Sequence, residues 1–118
     1  MNFGLQMFVA GKVWQKDRDA FPERAKAMGF SQVEPCVFLG GALPVQIPGI
    51  WDEATFRQEA ERLRAGGIEI PSMHVFAADW DKALPDMLRV ARECGVSQFV
   101  LKCPEKVERD GYAAFVAL

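Results

Sequence analysis

Gly29-Phe30-Ser31-Gln32-Val33-Glu34-Pro35 and Gly95-Val96-Ser97-Gln98-Phe99-Val100 are near copies, and Gly66-Gly67-Ile68-Glu69-Ile70-Pro71 stands between them at a comparable stage of the cycle. Each stretch reads as a helix end, a tight turn at glycine and the start of an apolar strand. Glycine punctuation at positions 29, 66 and 95 therefore divides the chain into units in which helices and strands alternate. Such alternation implies a parallel sheet with helices outside it and right-handed crossovers.

Working outward, Phe3–Val9 is an apolar run of strand length that stops at Ala10-Gly11. A helix is expected over Asp19–Met28, with Asp19 as its cap, Pro22 in the first turn and Phe21, Ala25 and Met28 on one face. The second strand covers Phe30–Val33 and carries Glu34-Pro35 at its carboxyl end. A long loop, Cys36 to Ile50, with Gly40, Gly41, Pro44, Pro48 and Gly49, leads to a helix over Asp52–Ala65 whose apolar stripe is Phe56, Ala60 and Leu63. The third strand, Ile68–Ile70, runs on through Pro71-Ser72-Met73-His74-Val75. A helix over Asp81–Cys94 follows, with Leu84, Met87, Leu88 and Ala91 on its apolar face and Pro85 marking a break after its first turn. Val96–Leu101 is the fourth strand, and Asp110 caps a fourth helix. Two parallel architectures fit this order, a small doubly wound sheet and part of a barrel that takes roughly 250 residues in full. No G-x-G-x-x-G turn follows the first strand, which argues only against the nucleotide-binding version of the doubly wound sheet.

Composition narrows the function classes. Of 118 residues, 50% are hydrophobic and 25% charged, as in an ordinary folded domain rather than a disordered one, and the whole of 1–118 reads as one partial domain. A formal net charge of −2 with interspersed signs supplies no basic field for a phosphate backbone, so nucleic acid is not an expected partner. The N-terminus lacks the charged, apolar and small-residue succession of a signal peptide, and no apolar run approaches the ~18 residues of a membrane span. Cys36, Cys94 and Cys103 are odd in number and lack C-x-x-C spacing, which favours reduced thiols and a cytoplasmic location.

The motifs decide between the two architectures. Gly4-Leu5-Gln6-Met7-Phe8, Gly29 through Pro35 and Gly67-Ile68-Glu69-Ile70-Pro71-Ser72-Met73-His74 resemble three successive strand signatures of the xylose isomerase-like TIM-barrel superfamily, and Gly95 through Val100 resembles its fourth. The resemblance spans nearly the whole chain and implies an α/β fold, the N-terminal half of a (β/α)₈ TIM barrel, with about four βα units, parallel strands and outer helices. It further implies a sugar or sugar-phosphate isomerase or epimerase. In such enzymes one divalent cation (Mn, Mg or Zn) is commonly held by carboxylates and a histidine from later strands, so its principal ligands are not expected among these residues and none is assigned here.

Four residues are candidates for contact with substrate. His74 is the only histidine and follows the third strand on the face where barrel loops build active sites, so it is the candidate catalytic and substrate-binding residue. The competing reading is a structural imidazole bonded to a loop carbonyl. Glu34, a carboxylate just past an apolar strand, suits sugar hydroxyls, orientation of another site group or a salt bridge with Lys102. Lys102, at the same level on strand four, suits an enolate or substrate phosphate, or simply faces solvent. The Gln6 amide suits substrate hydrogen bonding. Phe8, Trp14, Phe38 and Phe76 leave the strand ends and serve either a sugar face or packing; Cys103 reads as an inert thiol.

The expected reaction of the full-length protein is proton abstraction alpha to a carbonyl in a small sugar or polyol. An inosose dehydratase-like lyase shares that opening step. The alternative from another class is a non-catalytic half-barrel that forms a homo-oligomer through its open sheet edges.

Overall fold

The computed structural model describes residues 3–101. Its elements in chain order are β1 (Gly4–Gln6), α1 (Met7–Lys16), α2 (Phe21–Ala27), β2 (Gln32–Glu34), β3 (Cys36–Phe38), β4 (Ile50–Trp51), α3 (Glu53–Ala65), β5 (Ser72–Phe76), α4 (Trp80–Cys94) and β6 (Gln98–Leu101). This is an α/β domain in which every strand pairing is parallel. Lys102, Cys103 and the helix expected after Asp110 lie outside the described residues.

The first departure from the sequence reading comes at Met7. The apolar run Phe3–Val9 is not one strand: β1 ends at Gln6 and the backbone turns directly into α1. Met7, Ala10, Gly11 and Trp14 recur at helical spacing and are buried, while Phe8 and Val9 are 56% and 78% exposed. Burial of that stripe overrides the strand preference of the run.

Shortening β1 leaves the neighbouring strand line without a partner beyond Glu34, and the segment expected to be loop supplies one. Leu5 lies opposite Val33 and Gln6 opposite Glu34, whereas further along Ile50 and Trp51 pair with Cys36 and Val37. Residues 36–38 and 50–51 are thus strands inside the stretch read as a loop. Pro35, lacking an N–H, separates β2 from β3, yet the two continue one line. The 69–76 line joins both: Val33 N donates to Glu69 O at 2.9 Å and His74 N to Pro35 O at 2.8 Å. From one side to the other the lines read β1 (with β4 beyond its end), β2–β3, β5 and β6, so β4 alone lies out of chain order, across β3 from β5.

The third strand is also displaced. Ile68–Ile70 makes only an isolated bridge, Glu69 with Gln32, and the ladder proper is β5. Gln32 to Cys36 is four steps, while their partners Glu69 to His74 are five, so one extra residue bulges out near Pro71.

Helix ends follow their local chemistry. Asp52 Oδ1 accepts from Thr55 N at 2.8 Å and caps α3, as expected, and Phe56, Ala60 and Leu63 are buried. Asp19 does not cap α2. Asp17 Oδ1 accepts from Ala20 N at 3.2 Å, Asp19 pairs instead with Arg62 at 2.7 Å, and Met28 lies exposed past the helix end. Helix α4 is continuous through Pro85, which sits on its exposed side one turn beyond Asp81. Its buried stripe is Ala83, Met87, Val90 and Ala91, so Leu88 faces solvent and Leu84 is only half-buried. Gly95, at φ 69°, ends it in the left-handed conformation that glycine adopts without a Cβ clash. Across the outside, Glu53 binds both Arg57 (3.1 Å) and Arg89 (2.8 Å), and Arg57 reaches Glu93, tying α3 to α4. Among the described residues no helix is long and apolar enough to cross a membrane.

Candidate functional site

Alternation along the strands sorts the sheet into two faces. Val33, Val37, Met73 and Val75 are fully buried in the core with Phe21, Phe56, Leu63 and Val90. On the other face Gln6 on β1, Glu34 on β2, and Ser72, His74 and Phe76 on β5 stay half-buried, while Cys36 on β3 is fully buried. A parallel sheet is normally apolar on both faces, so a row of polar side chains on one of them marks that face out.

Those side chains meet. Gln6 Nε2 donates to Glu34 Oε1 at 3.1 Å and lies 3.2 Å from His74 Nδ1. Ser72 Oγ donates to Glu34 Oε2 at 2.6 Å. Phe76 stacks on the His74 ring, with centroids 4.5 Å apart and planes 17° from parallel. The β5 bulge sets this arrangement, because the extra residue places Ser72, rather than Pro71, level with Glu34. A hollow of about 290 Å³, lined by Gly4, Gln6, Gln32, Glu34 and Ser72 among others, opens beside the cluster.

Three of the four candidate residues, Gln6, Glu34 and His74, are thus brought into one hydrogen-bonded group; Lys102 lies outside the described residues. Ser72 was missed by sequence reasoning, although it stands two residues before His74 and a strand places such pairs on the same face. Of the aromatic candidates, Phe76 packs on His74, Phe38 lies level with Phe76, Phe8 is exposed and Trp14 is core.

Cys36 lies level with His74 on the neighbouring strand and is fully buried. Burial pushes its thiol up from 9.0 to about 11, with the Glu34 charge adding to the rise and a hydrogen bond with the Phe8 backbone opposing it. A thiol so held is a poor nucleophile at neutral pH.

Among the described residues no group of three or more His, Cys, Asp or Glu side chains is placed to hold an ion. Both Glu34 oxygens already accept hydrogen bonds. Glu34 and His74 by themselves are thus fewer ligands than the divalent cation implied by the resemblance takes.

A second cavity, about 130 Å³, lies between α1 and the segment leading into α3, lined by Trp14, Arg18, Gln46, Trp51, Asp52 and Thr55 among others. Arg18 already stacks over Trp14 at 4.4 Å, and Trp14 packs on Trp51 at 5.0 Å. Its aromatic rings are engaged with one another and with that cation, which reads as packing.

In comparison with known proteins, no protein-family model, no curated protein and no solved structure matches the chain.

Proposed function

We propose that the chain forms the N-terminal half of a xylose isomerase-like (β/α)₈ barrel and supplies the substrate-contact side of a sugar or sugar-phosphate isomerase or epimerase site. The observation that carries this reading is the Gln6–Glu34–Ser72–His74 group, built from three different parallel strands on a face that would line a barrel mouth. The lines β1, β2–β3, β5 and β6 succeed one another as in a barrel, while β4 pairs on the β1 side of β3, out of chain order.

In this reading His74 donates a hydrogen bond to a carbonyl or hydroxyl oxygen of a small sugar or polyol. Phe76 fixes its ring plane, and Gln6 and Glu34 hold its position. The proton alpha to the carbonyl would be taken by a base outside the described residues. The resemblance would place a divalent cation on residues outside those described, where it would polarise the substrate oxygens, and the same opening step serves dehydration of an inosose.

The test is titration of the isotope-labelled chain with D-fructose, D-xylulose, their phosphates and an inosose, with and without Mn²⁺. Saturable shifts at the His74 imidazole and Gln6 amide, lost in His74→Ala, are expected. No saturable change at either group with any probe would overturn the proposal.

A second reading, association of two copies along the β1 side, is favoured by Phe8, Val9 and Val13, which are 56%, 78% and 41% exposed next to one another on α1. Sedimentation velocity decides it: a dimer that dissociates on Val9→Glu supports association, and a monomer at all concentrations removes it.

A further inference from the structure

The Gln6 nitrogen that donates to Glu34 is the same atom that lies 3.2 Å from His74 Nδ1. That coincidence constrains every proton in the group. A carboxylate only accepts, and Ser72 already donates to its other oxygen, so Gln6 must turn its NH₂ rather than its carbonyl toward Glu34. An amide nitrogen carries two hydrogens and no usable lone pair. With one hydrogen on Glu34 Oε1, the other points at His74, and Nδ1 must be the acceptor. The ring proton is then on Nε2.

We propose that Gln6 is a positioning residue that carries the polarity of the Glu34 carboxylate to His74 and locks the imidazole in its Nε2–H tautomer. If the carbonyl of Gln6 were turned toward Glu34, two acceptors would face each other at hydrogen-bond distance, and the half-buried setting strengthens that penalty. Phe76 completes the lock by stacking on one face of the ring.

The lock states which ligand chemistry this face takes. An Nε2–H is a donor, so His74 recognises an oxygen acceptor such as a carbonyl, an alkoxide or a hydroxyl lone pair. A histidine prepared to ligate a metal through Nε2 has the opposite arrangement, with Nδ1–H donating to an acceptor. The inference concerns the free protein and rests on the proposed function only in naming the oxygen as that of a sugar.

A single histidine makes the test direct, because the imidazole ¹⁵N spectrum of the full chain contains one ring. Wild type is expected to show one neutral form, protonated on Nε2 with Nδ1 as acceptor. Glu34→Gln lets the Gln6 amide turn over, and the Nδ1–H form gains population. Gln6→Met removes the only amide donor to Nδ1 and lets the Nδ1–H form gain population without altering position 34. Ser72→Ala leaves Glu34 Oε1 accepting from Gln6 and keeps the wild-type pattern. A merely structural cluster predicts no such split between Ser72→Ala and the other two variants. An Nδ1–H or averaged ring in wild type, or wild-type patterns in both Glu34→Gln and Gln6→Met, would overturn the lock. A locked tautomer in a protein that binds none of the sugars would leave the lock standing and remove the isomerase proposal.

Discussion

Gly11→Ala should destabilise the protein although the residue lies inside a helix, where alanine is normally favoured over glycine by about 1 kcal/mol. A Cβ built on Gly11 would lie 2.3 Å from Gly49 N, 2.5 Å from Gly49 Cα and 2.6 Å from the Pro48 carbonyl carbon. Carbon contacts are comfortable near ~3.5–4.0 Å, so α1 and the segment entering β4 must part by about 1 Å. All three obstacles are backbone, and none can rotate away. Overpacking of this kind costs about 1–3 kcal/mol, and the rigid partners place this case at the upper end. The displacement also loosens Trp14 from Trp51, which pack at 5.0 Å across the same seam. After the propensity gain is set against it, the expected net loss is about 2 kcal/mol. In urea, with m near ~1–3 kcal/mol/M, that lowers the unfolding midpoint by roughly 1 M with m unchanged. Tryptophan fluorescence reports it from the affected seam. Gly49→Ala meets Met7 O at 2.4 Å and Phe8 Cα at 2.8 Å, so it should fall in the same direction. Because one displacement relieves both clashes, the double variant should lose less than the two singles together. A raised midpoint for Gly11→Ala, as at an exposed helical glycine, would refute the placement of α1 against this loop. Strict additivity of the pair would refute the shared seam.

Asp52→Ala removes the α3 cap and should cost about 1 kcal/mol in chemical denaturation, with Asp52→Asn retaining most of it. Glu59 is 1% exposed, accepts from Trp14 Nε1 at 3.0 Å and has its other oxygen buried without a partner. Oε2 also lies 3.8 Å from Arg62 Nε, so Glu59→Gln keeps the acceptor for Trp14 but gives up that ion pair, whereas Glu59→Leu leaves both the indole N–H and Arg62 without it and should lose about 1–3 kcal/mol, more than Glu59→Gln; the reverse order in thermal melts would contradict this. Cys36 should resist iodoacetamide at pH 8 while half-buried Cys94 reacts, as read by peptide mass mapping. Because burial raises the Cys36 thiol from 9.0 to about 11, its contribution is present below pH 9 and is lost as pH rises toward 11, amounting to about 3 kcal/mol at ~1.4 kcal/mol per pH unit. A denaturation midpoint that does not fall across that window would contradict it.

The parts of the fold that sequence makes legible are those where local chemistry and burial agree. Helix α3 has its Asp52 cap and its Phe56–Ala60–Leu63 stripe, and Gly95 ends α4 as glycine should. The misread parts share a level in the sheet. Strand β1 gives way to α1 just after Gln6, Pro35 splits the next line just after Glu34, and the bulge near Pro71 comes just before Ser72. At the first and third of these places a regular strand was the better local reading: Phe3–Val9 is apolar but for Gly4 and Gln6, and Ile68-Glu69-Ile70 alternates as a strand does. Regular strands there would have put Pro71, not Ser72, level with Glu34, and would have left that carboxylate without its hydroxyl donor. Signals for the actual structure were present, in the Met7–Ala10–Trp14 spacing and in the alternation of Ser72 to Phe76, but each competes with an apolar run of equal length. Three breaks that coincide around one polar group are costly to the ladder and useful to the site, because they free strand ends to bring side chains from three strands within hydrogen-bond reach. The failure of strand periodicity and the placement of Gln6, Glu34 and His74 are thus one structural fact. A substitution that regularises the sheet at Pro35 or Pro71 would have to disperse the group that makes this face chemically distinct.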